Sequence, residues 1–268
     1  MKTSTFLGLW PLLFGIGSAG ASTLLLSDNF NESPANTDVS TFNNNLSATQ
    51  GGTLANVTYS LQGTNYVAQH SDGGSRLLVA TANDGNGNGS ASLNNNFASQ
   101  ANAVNQALQV SFNIHSVEAF SDTSRWVQFN VGNSQHLDVG NATVGLGVLF
   151  RVNGGSQVLS AGSALVGSTS WSPNDLVTIT LTGTGGMGSA FNGNGSEATV
   201  SIGANTYGTF TLAQQTNAYL TFSGYNYLSD QFGLGRIDNL NVTLVPEPAA
   251  AFLGCLGTLA LLRRRRSF

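Results

Sequence analysis

The amino-acid sequence predicts an all-β protein, built as an antiparallel β-sandwich or jelly roll. Three observations lead to this prediction. Many short segments alternate apolar and polar residues with a period of two, which is typical of half-buried strands. Turns rich in glycine and asparagine separate these segments, and no stretch combines a helical period with capping residues. Regularly spaced short strands of this kind indicate two packed antiparallel sheets.

The alternation assigns a core-facing set to each predicted strand. In QALQVSFNIH the set is Leu108, Val110, Phe112 and Ile114, and the residues between them are predicted to face outward. The segments that follow give Val127, Phe129 and Val131, then Val144, Leu146, Val148, Phe150 and Val152, and then Val177, Ile179 and Leu181.

Two turns and two further segments complete the strand prediction. The NGG sequence at 153–155 is a hairpin signal, and the turn at 203–205 divides ATVSIGANTYGTFTL into two strands. The segments AYLTFSG and NLNVTLV are predicted to be the last two strands.

Residues 1–21 have the pattern of a secretory signal peptide. Lys2 precedes the apolar stretch FLGLWPLLFGIG, and the small-residue triplet Ala19-Gly20-Ala21 follows it. Glycines and a proline interrupt the apolar stretch, which disfavours a retained membrane anchor, the alternative interpretation. We therefore expect cleavage after Ala21 and a mature domain that spans residues 22–244.

The charge of the predicted mature domain limits its partners. Residues 22–245 contain 12 acidic residues, no lysine and four arginines, so that the net charge is −8. A nucleic-acid-binding domain needs basic side chains to displace counterions from phosphates, so this composition argues against nucleic acid as a partner. The single cysteine, Cys255, lies outside the domain, which excludes disulfides and cysteine metal sites within it.

The C-terminal segment 245–268 is predicted to be a processing signal. The triplet Pro246-Glu247-Pro248 is followed by the apolar run Ala249–Leu262 and then by Arg263, Arg264, Arg265 and Arg266. As a helix, the 14 apolar residues would extend about 21 Å, so they form a short transmembrane span in a hydrocarbon layer of about 30 Å. The arginines would remain on the cytoplasmic side, and the prolines would keep the triplet extended and unpaired at the outer membrane edge.

This order of motifs resembles the PEP-CTERM sorting signal of Gram-negative bacteria. The resemblance covers residues 245–268 and implies recognition by an exosortase-type membrane enzyme, with Pro246, Glu247 and Pro248 as the recognised motif. It also implies transient insertion in the inner membrane and then release or transfer to the cell surface or extracellular matrix. A permanent C-terminal anchor is the alternative.

The two ends of the domain resemble those of concanavalin/laminin-G-like sandwiches. LLLSDNFNES opens the domain and GRIDNLNVTLV closes it. The resemblance implies that the first and last strands lie side by side, with Phe30 in the same core as Val242.

The sequence offers little support for catalysis. There is no G-x-S-x-G elbow and no E-x-D-x-x-E glucanase signature. The nearest pair of acidic residues on one segment, Glu118 and Asp122, has the wrong spacing for paired carboxylates on a strand. We therefore expect a protein without enzymatic activity.

Calcium is the one cofactor that the sequence suggests. DGNGNG places Asp84, Asn86, Asn88 and Gly89 at positions 1, 3, 5 and 6 of an EF-hand-type loop, but Asn95 stands at position 12, where a glutamate should be. Asp28 and Asp238 form a second candidate pair, since adjacent terminal strands would bring them close together. For each site the alternative is that the side chains hydrogen-bond to nearby backbone.

Aromatic residues beside amides are candidates for contact with a glycan. Trp126 is predicted to face away from the core near Gln128, and Tyr225 and Tyr227 lie in SGYNYLSD. Together, these observations predict an exported structural or carbohydrate-associated module, with an extracellular polysaccharide as its candidate partner. A jelly-roll glycan hydrolase or lyase is the alternative. A protein that adsorbs to ice or another surface would need a flat array of threonines, and TLTGTG alone is too short to supply one.

Overall fold

A computed structural model describes the following parts of the chain: residues 21–30, 37–38, 52–54, 57–62, 66–70, 77–81, 87–101, 106–119, 126–135, 145–160, 163–183, 196–212, 215–226 and 233–246. All of them belong to one compact unit, Ala21–Pro246. The predicted signal peptide and most of the predicted sorting signal lie outside the described residues. Within the described residues, no helix is long and apolar enough to cross a bilayer.

The structure confirms the all-β prediction. Apart from a single 3₁₀ turn at Phe97–Ser99, every regular element in the described ranges is a strand. The strands are β1 (Thr23–Asp28), β2 (Thr37–Asp38), β3 (Tyr59–Gln62), β4 (Tyr66–His70), β5 (Leu77–Thr81), β6 (Gly87–Leu93), β7 (Gln106–Ala119), β8 (Trp126–Gly132), β9 (Gly145–Arg151), β10 (Gly155–Ser160), β11 (Ser163–Ser170), β12 (Asp175–Gly183), β13 (Ser196–Ile202), β14 (Asn205–Leu212), β15 (Tyr219–Asn226) and β16 (Gly233–Pro246).

The strands form two antiparallel sheets. The nine-stranded sheet has the order β14-β13-β12-β7-β16-β5-β4-β2, with β1 also paired to β16. The seven-stranded sheet has the order β11-β10-β9-β8-β15-β6-β3. The long strand β16 has β7 on one side, and on the other it pairs with β5 in its first half and with β1 in its second half. The predicted pairing of the first and last strands is therefore confirmed.

Strand β16 extends further than the sequence indicated. It ends at Pro246, which lies opposite Gln106 of β7. The prediction that the whole proline triplet is unpaired was therefore wrong for Pro246. A proline can end a strand, because its missing N–H removes only one bond from the ladder. Glu247 and Pro248 lie outside the described residues.

Aromatic side chains join the two sheets at the centre of the core. Phe112 of the nine-stranded sheet lies 4.9, 6.3 and 5.7 Å, between ring centroids, from Phe129, Phe150 and Phe222 of the seven-stranded sheet. All four rings are fully or almost fully buried. Tilted and edge-to-face arrangements at these distances stabilise aromatic pairs beyond the burial of area alone. Phe30 and Val242 belong to the same core, as predicted.

Uncharged polar side chains line the outer face of the nine-stranded sheet in two rows that run across five strands, and we call this surface the hydroxyl face. Cross-strand register places the members of each row side by side, and each is half-buried or exposed. The rows are Thr206, Ser201, Thr178, Ser111 and Asn241, and then Thr209, Thr199, Thr180, Gln109 and Thr243.

Candidate functional site

The outer face of the seven-stranded sheet carries a second set of polar side chains, which we call the polar face. Its members lie on three adjacent strands, β6, β15 and β8, and alternate with core residues such as Phe129 and Phe222. They are Ser90, Ser92, Gln128, Asn130, Thr221 and Ser223, and each of them is at most 6% exposed. For Gln128 and Asn130 on β8, strand alternation predicted the outward direction correctly, but it did not predict their burial.

Hydrogen bonds link the polar face across its strands. Gln128 Nε2 donates to Asn130 Oδ1, and Asn130 Nδ2 donates to Ser223 Oγ on the adjacent strand at 3.3 Å. Thr221 Oγ1 donates to Ser92 Oγ at 3.0 Å, and Ser92 Oγ donates to the Leu220 carbonyl at 3.2 Å. Buried polar groups are costly unless they are paired, so these bonds stabilise the face.

One buried acceptor on this face has no hydrogen-bond partner. Gln128 is 2% exposed and its Oε1 accepts no hydrogen bond. A carbonyl oxygen of this kind can accept two hydrogen bonds, so a ligand hydroxyl at this point would satisfy it. Gly147 on β9 leaves the space that the amide occupies, because a Cβ at position 147 would lie only 2.3 Å from Gln128 Nε2.

A row of larger residues crosses the sheet beside the polar face. In the strand register, Tyr225 of β15 is opposite Trp126 of β8, which is in turn opposite Arg151 of β9. Trp126 precedes Gln128 by two residues on β8. Arg151 is half-buried, and its Nη2 donates to Gln157 Oε1 at 3.1 Å.

Two of the three predicted glycan contacts, Trp126 and Tyr225, are therefore backbone partners on adjacent strands. The third, Tyr227, lies outside the described residues.

Apolar residues also occur on this outer face. Leu149 and Leu159 are 2% and 7% exposed, yet neither belongs to the core cluster between the sheets. Leu149 of β9 lies opposite Gln128 of β8, and Leu159 of β10 lies opposite Gly147 of β9. The face thus combines amides and hydroxyls with buried apolar residues at its margin.

The predicted calcium pair does not share a face of the sheet. Asp28 is fully buried and lies opposite Leu240, which faces the core. Its Oδ1 accepts a hydrogen bond from the Phe30 N–H at 2.8 Å and its Oδ2 accepts one from the Tyr59 hydroxyl at 3.2 Å. Asp238 is half-buried opposite Asn113 on the outer side.

The Asp28 carboxylate supports a strained backbone. Phe30 adopts φ of 53°, in the left-handed region that a bulky residue seldom occupies.

Asp84, the other candidate calcium ligand, lies outside the described residues. Within the described residues, no three acidic, histidine or cysteine side chains form a group that could hold a metal ion.

Carboxylates are distributed unevenly between the two sheets. The seven strands of the seven-stranded sheet contain no aspartate or glutamate, whereas Asp28, Asp175, Glu197 and Asp238 all lie on strands of the nine-stranded sheet. Glu118 is on β7 and Asp122 lies outside the described residues. The strands that form the polar face therefore supply hydrogen-bonding groups without an acid or base.

An asparagine cluster fixes the connections at one end of the sandwich. Asn133 Oδ1 accepts hydrogen bonds from the backbone N–H groups of Thr216 and Asn217, at 3.0 and 3.1 Å. Asn96 Nδ2 donates to Asn217 Oδ1 at 2.7 Å, and Asn96 Oδ1 accepts from the Ala218 N–H at 2.9 Å. The cluster holds the start of β15 against the segments after β6 and β8, and so positions the strands of the polar face.

No protein-family model and no curated protein sequence matches this chain. Solved structures do match it. The endo-1,3-beta-glucanase from Streptomyces sioyaensis matches with a TM-score of 0.56 at 10% identity, covering 84% of this chain and 97% of that one. Lectin II from Ulex europaeus matches with a TM-score of 0.41 at 14% identity, covering 70% of this chain and 92% of that one. Peanut lectin in complex with a nine-residue peptide gives 0.44 at the same identity and coverage.

The likeness to the glucanase shows the fold of this chain. Both are two-sheet β-sandwiches, although they share only 10% of their residues. The predicted class of protein, an antiparallel sandwich or jelly roll, is therefore confirmed.

Proposed function

We propose that this chain is an exported carbohydrate-binding module whose binding site is the polar face together with the row Tyr225–Trp126–Arg151. The observation that carries the proposal is the row's register beside Gln128, whose buried Oε1 has no partner. An aromatic ring offers a flat apolar surface to the C–H groups of a sugar ring, while amides and a guanidinium bind its hydroxyls.

The burial of the polar face determines where the ligand would bind. Asn130, Thr221 and Ser223 are almost fully buried, so we assign them the role of a floor that holds the Gln128 amide in place. The ligand would lie over the adjacent row, where Arg151 is half-buried. Strand geometry places Trp126 and Gln128 about 6.6–6.8 Å apart along β8, a span comparable with one sugar ring.

Binding is favoured over hydrolysis by the placement of the carboxylates. Glycoside hydrolysis uses two carboxyl groups about 5–10 Å apart on either side of the scissile bond. The strands beneath the proposed site contain neither aspartate nor glutamate. The glycan hydrolase or lyase remains the alternative, because the structural match named as an endo-1,3-beta-glucanase has the same fold.

The predicted sorting signal gives the proposed module its destination. Pro246, Glu247 and Pro248 would be recognised by an exosortase-type enzyme, and Arg263–Arg266 would hold the precursor at the inner membrane until processing. The negative charge of the domain and its lack of lysine support an extracellular role among neutral glycans rather than nucleic acids or acidic polymers.

The test is a glycan array probed with the exported protein, purified after expression of the full chain, in the presence of calcium and of EDTA. The array includes 1,3-β-glucan oligosaccharides. We expect binding that Trp126→Ala and Tyr225→Ala each weaken by about tenfold or more, equivalent to about 1.4 kcal/mol. Leu176→Ala is the matched control, because Leu176 is 49% exposed on the opposite sheet.

Two results would contradict the proposal. One is an array without signal. The other is a signal that Trp126→Ala and Leu176→Ala change equally. Release of new reducing ends from a bound glycan would instead support the hydrolase.

A further inference from the structure

The outermost strand of the nine-stranded sheet, β14, has one open edge. It pairs with β13 along Asn205–Leu212, and no other strand in the described part of the chain pairs with it. Five of its eight residues are exposed: Asn205, Thr206, Gly208, Thr209 and Thr211. The one side-chain hydrogen bond that the structure gives for this strand joins Thr206 to Ser201 of β13. The open edge therefore presents backbone N–H and C=O groups to solvent.

Edge strands usually carry features that prevent pairing with another chain. Short length, charged side chains, proline and bulges are the common ones. The opposite edge strand of this sheet, β2, has two residues, and the edge strand β3 of the other sheet has four. Strand β14 has eight residues, NTYGTFTL, without charge or proline, and it is rich in residues that favour strands. Its one protective feature is a bulge, at which Gly208 has φ of 60°.

The bulge makes β14 complementary to itself. Tyr207 and Phe210 both pack against the core, although alternation would place residues three apart on opposite faces. Thr206 and Thr211 both lie on the outer face, opposite Ser201 and Glu197 of β13.

These positions suit a two-fold axis between Gly208 and Thr209. In an antiparallel pair of two copies, Tyr207 would lie opposite the partner's Phe210, and Thr206 would lie opposite the partner's Thr211. Each pair would occur twice.

We propose that β14 is an interface at which a second copy of this chain adds antiparallel to the nine-stranded sheet. Aromatic pairs and threonine pairs opposite each other stabilise adjacent strands. No charged residue of β14 would face its own copy across the axis. An isologous contact of this kind closes after two copies, so it yields a dimer and not a fibre. The interface lies on the sheet that does not carry the polar face, so the dimer would have two separate carbohydrate sites.

The test is sedimentation of the exported protein, purified after expression of the full chain, over a series of concentrations. We expect the wild-type mass to double as the concentration rises. The double variant Thr206→Lys/Thr211→Lys places lysine opposite lysine twice and should remain monomeric, as should Thr206→Glu/Thr211→Glu. Mixing the two variants should restore a dimer, because each lysine then lies opposite a glutamate. Both threonines are exposed, so that an unchanged melting temperature will show that the fold is intact.

The other long edge strand provides the control. Strand β11 also has eight uncharged residues, and Ala164→Lys places a charge at an exposed position on it. This variant should form dimers like the wild type.

A wild-type protein that stays monomeric at every concentration would overturn the proposal. Any partner of the β14 edge would then be an extended segment of a different protein. A dimer that Ala164→Lys abolishes, or that the double lysine variant retains, would overturn it as well. Failure of the mixed variants to associate would refute the register.

Discussion

Replacing Gly147 by alanine should damage the candidate site while leaving the fold intact. A Cβ at this position would lie 2.3 Å from Gln128 Nε2 and 2.9 Å from Asn130 Oδ1, whereas real Cβ atoms essentially never approach closer than 3.0 Å. Both neighbours are side-chain amides, so they can move. The Gln128 amide must shift by about 0.7 Å or more, which would break its hydrogen bond to Asn130.

The expected loss of stability is modest. Breaking one buried hydrogen bond costs about 0.5–1.5 kcal/mol, and an extra methyl group in a packed region costs about 1–3 kcal/mol. These values are well below the roughly 5–15 kcal/mol by which domains are stable. The melting temperature should therefore fall by about 2–4 °C per kcal/mol, with cooperative unfolding retained. Glycan binding should fall more sharply, because the one unpaired acceptor of the polar face is displaced.

The assay compares melting temperature and glycan binding in Gly147→Ala and a control, Gly154→Ala. Gly154 has φ of 80° and its nearest potential Cβ contact is 3.6 Å away, at the Trp171 carbonyl. Alanine there costs about 1–2 kcal/mol of backbone strain and leaves the Gln128 amide untouched. Unchanged binding in Gly147→Ala, or an equal loss in both variants, would refute the role given to Gln128.

Three further predictions concern the core, the last strand and the tail. Asp28→Ala should cost about 1–3 kcal/mol for each buried partner that it leaves unsatisfied, the Phe30 N–H and the Tyr59 hydroxyl among them. Thermal melting will measure this loss, and an unchanged melting temperature would contradict the role of Asp28. A chain that ends at Arg236 should be insoluble, since it loses four buried side chains of β16 worth roughly 1.5–3 kcal/mol each. A soluble fragment that melts cooperatively would show that β16 is dispensable. Glu247→Ala should keep the precursor in the membrane fraction, and intact-mass analysis of wild-type surface protein should find no Arg263–Arg266. Their presence would argue for a permanent anchor.

Local sequence pattern predicted the buried residues of a strand correctly where one face of the strand packs on the core and the other faces water. In β7, Leu108, Val110, Phe112 and Ile114 are fully buried and the residues between them are half-buried. The hairpins at 153–155 and 203–205 followed from glycine and asparagine, because those residues adopt the backbone angles of tight turns. The pairing of β1 with β16 followed from a resemblance rather than from pattern.

The same reasoning could not predict the polar face. In β8, Gln128 and Asn130 are as deeply buried as Val127 and Phe129, but a period of two indicates only that they point the other way. Their partners, Ser223 and Gly147, are distant in sequence and meet them only through the order of strands in the sheet. Register between strands of this separation is a tertiary property, so composition and alternation contain no signal for it.

The hydroxyl face could not be predicted from local sequence pattern either, because its rows also depend on the order of the strands in the sheet. The segment TLTGTG alone was too short to form an array of threonines. In the folded sheet, one row contains Thr206, Thr178 and Asn241, which lie on three different strands.

Because neither row contains an ionisable side chain, the hydroxyl face attracts water through neutral dipoles alone. Dissolved salt screens fields between ions over about 8 Å at physiological strength, but it has little to screen here. Hydration of this surface should therefore change little between low and high salt concentration.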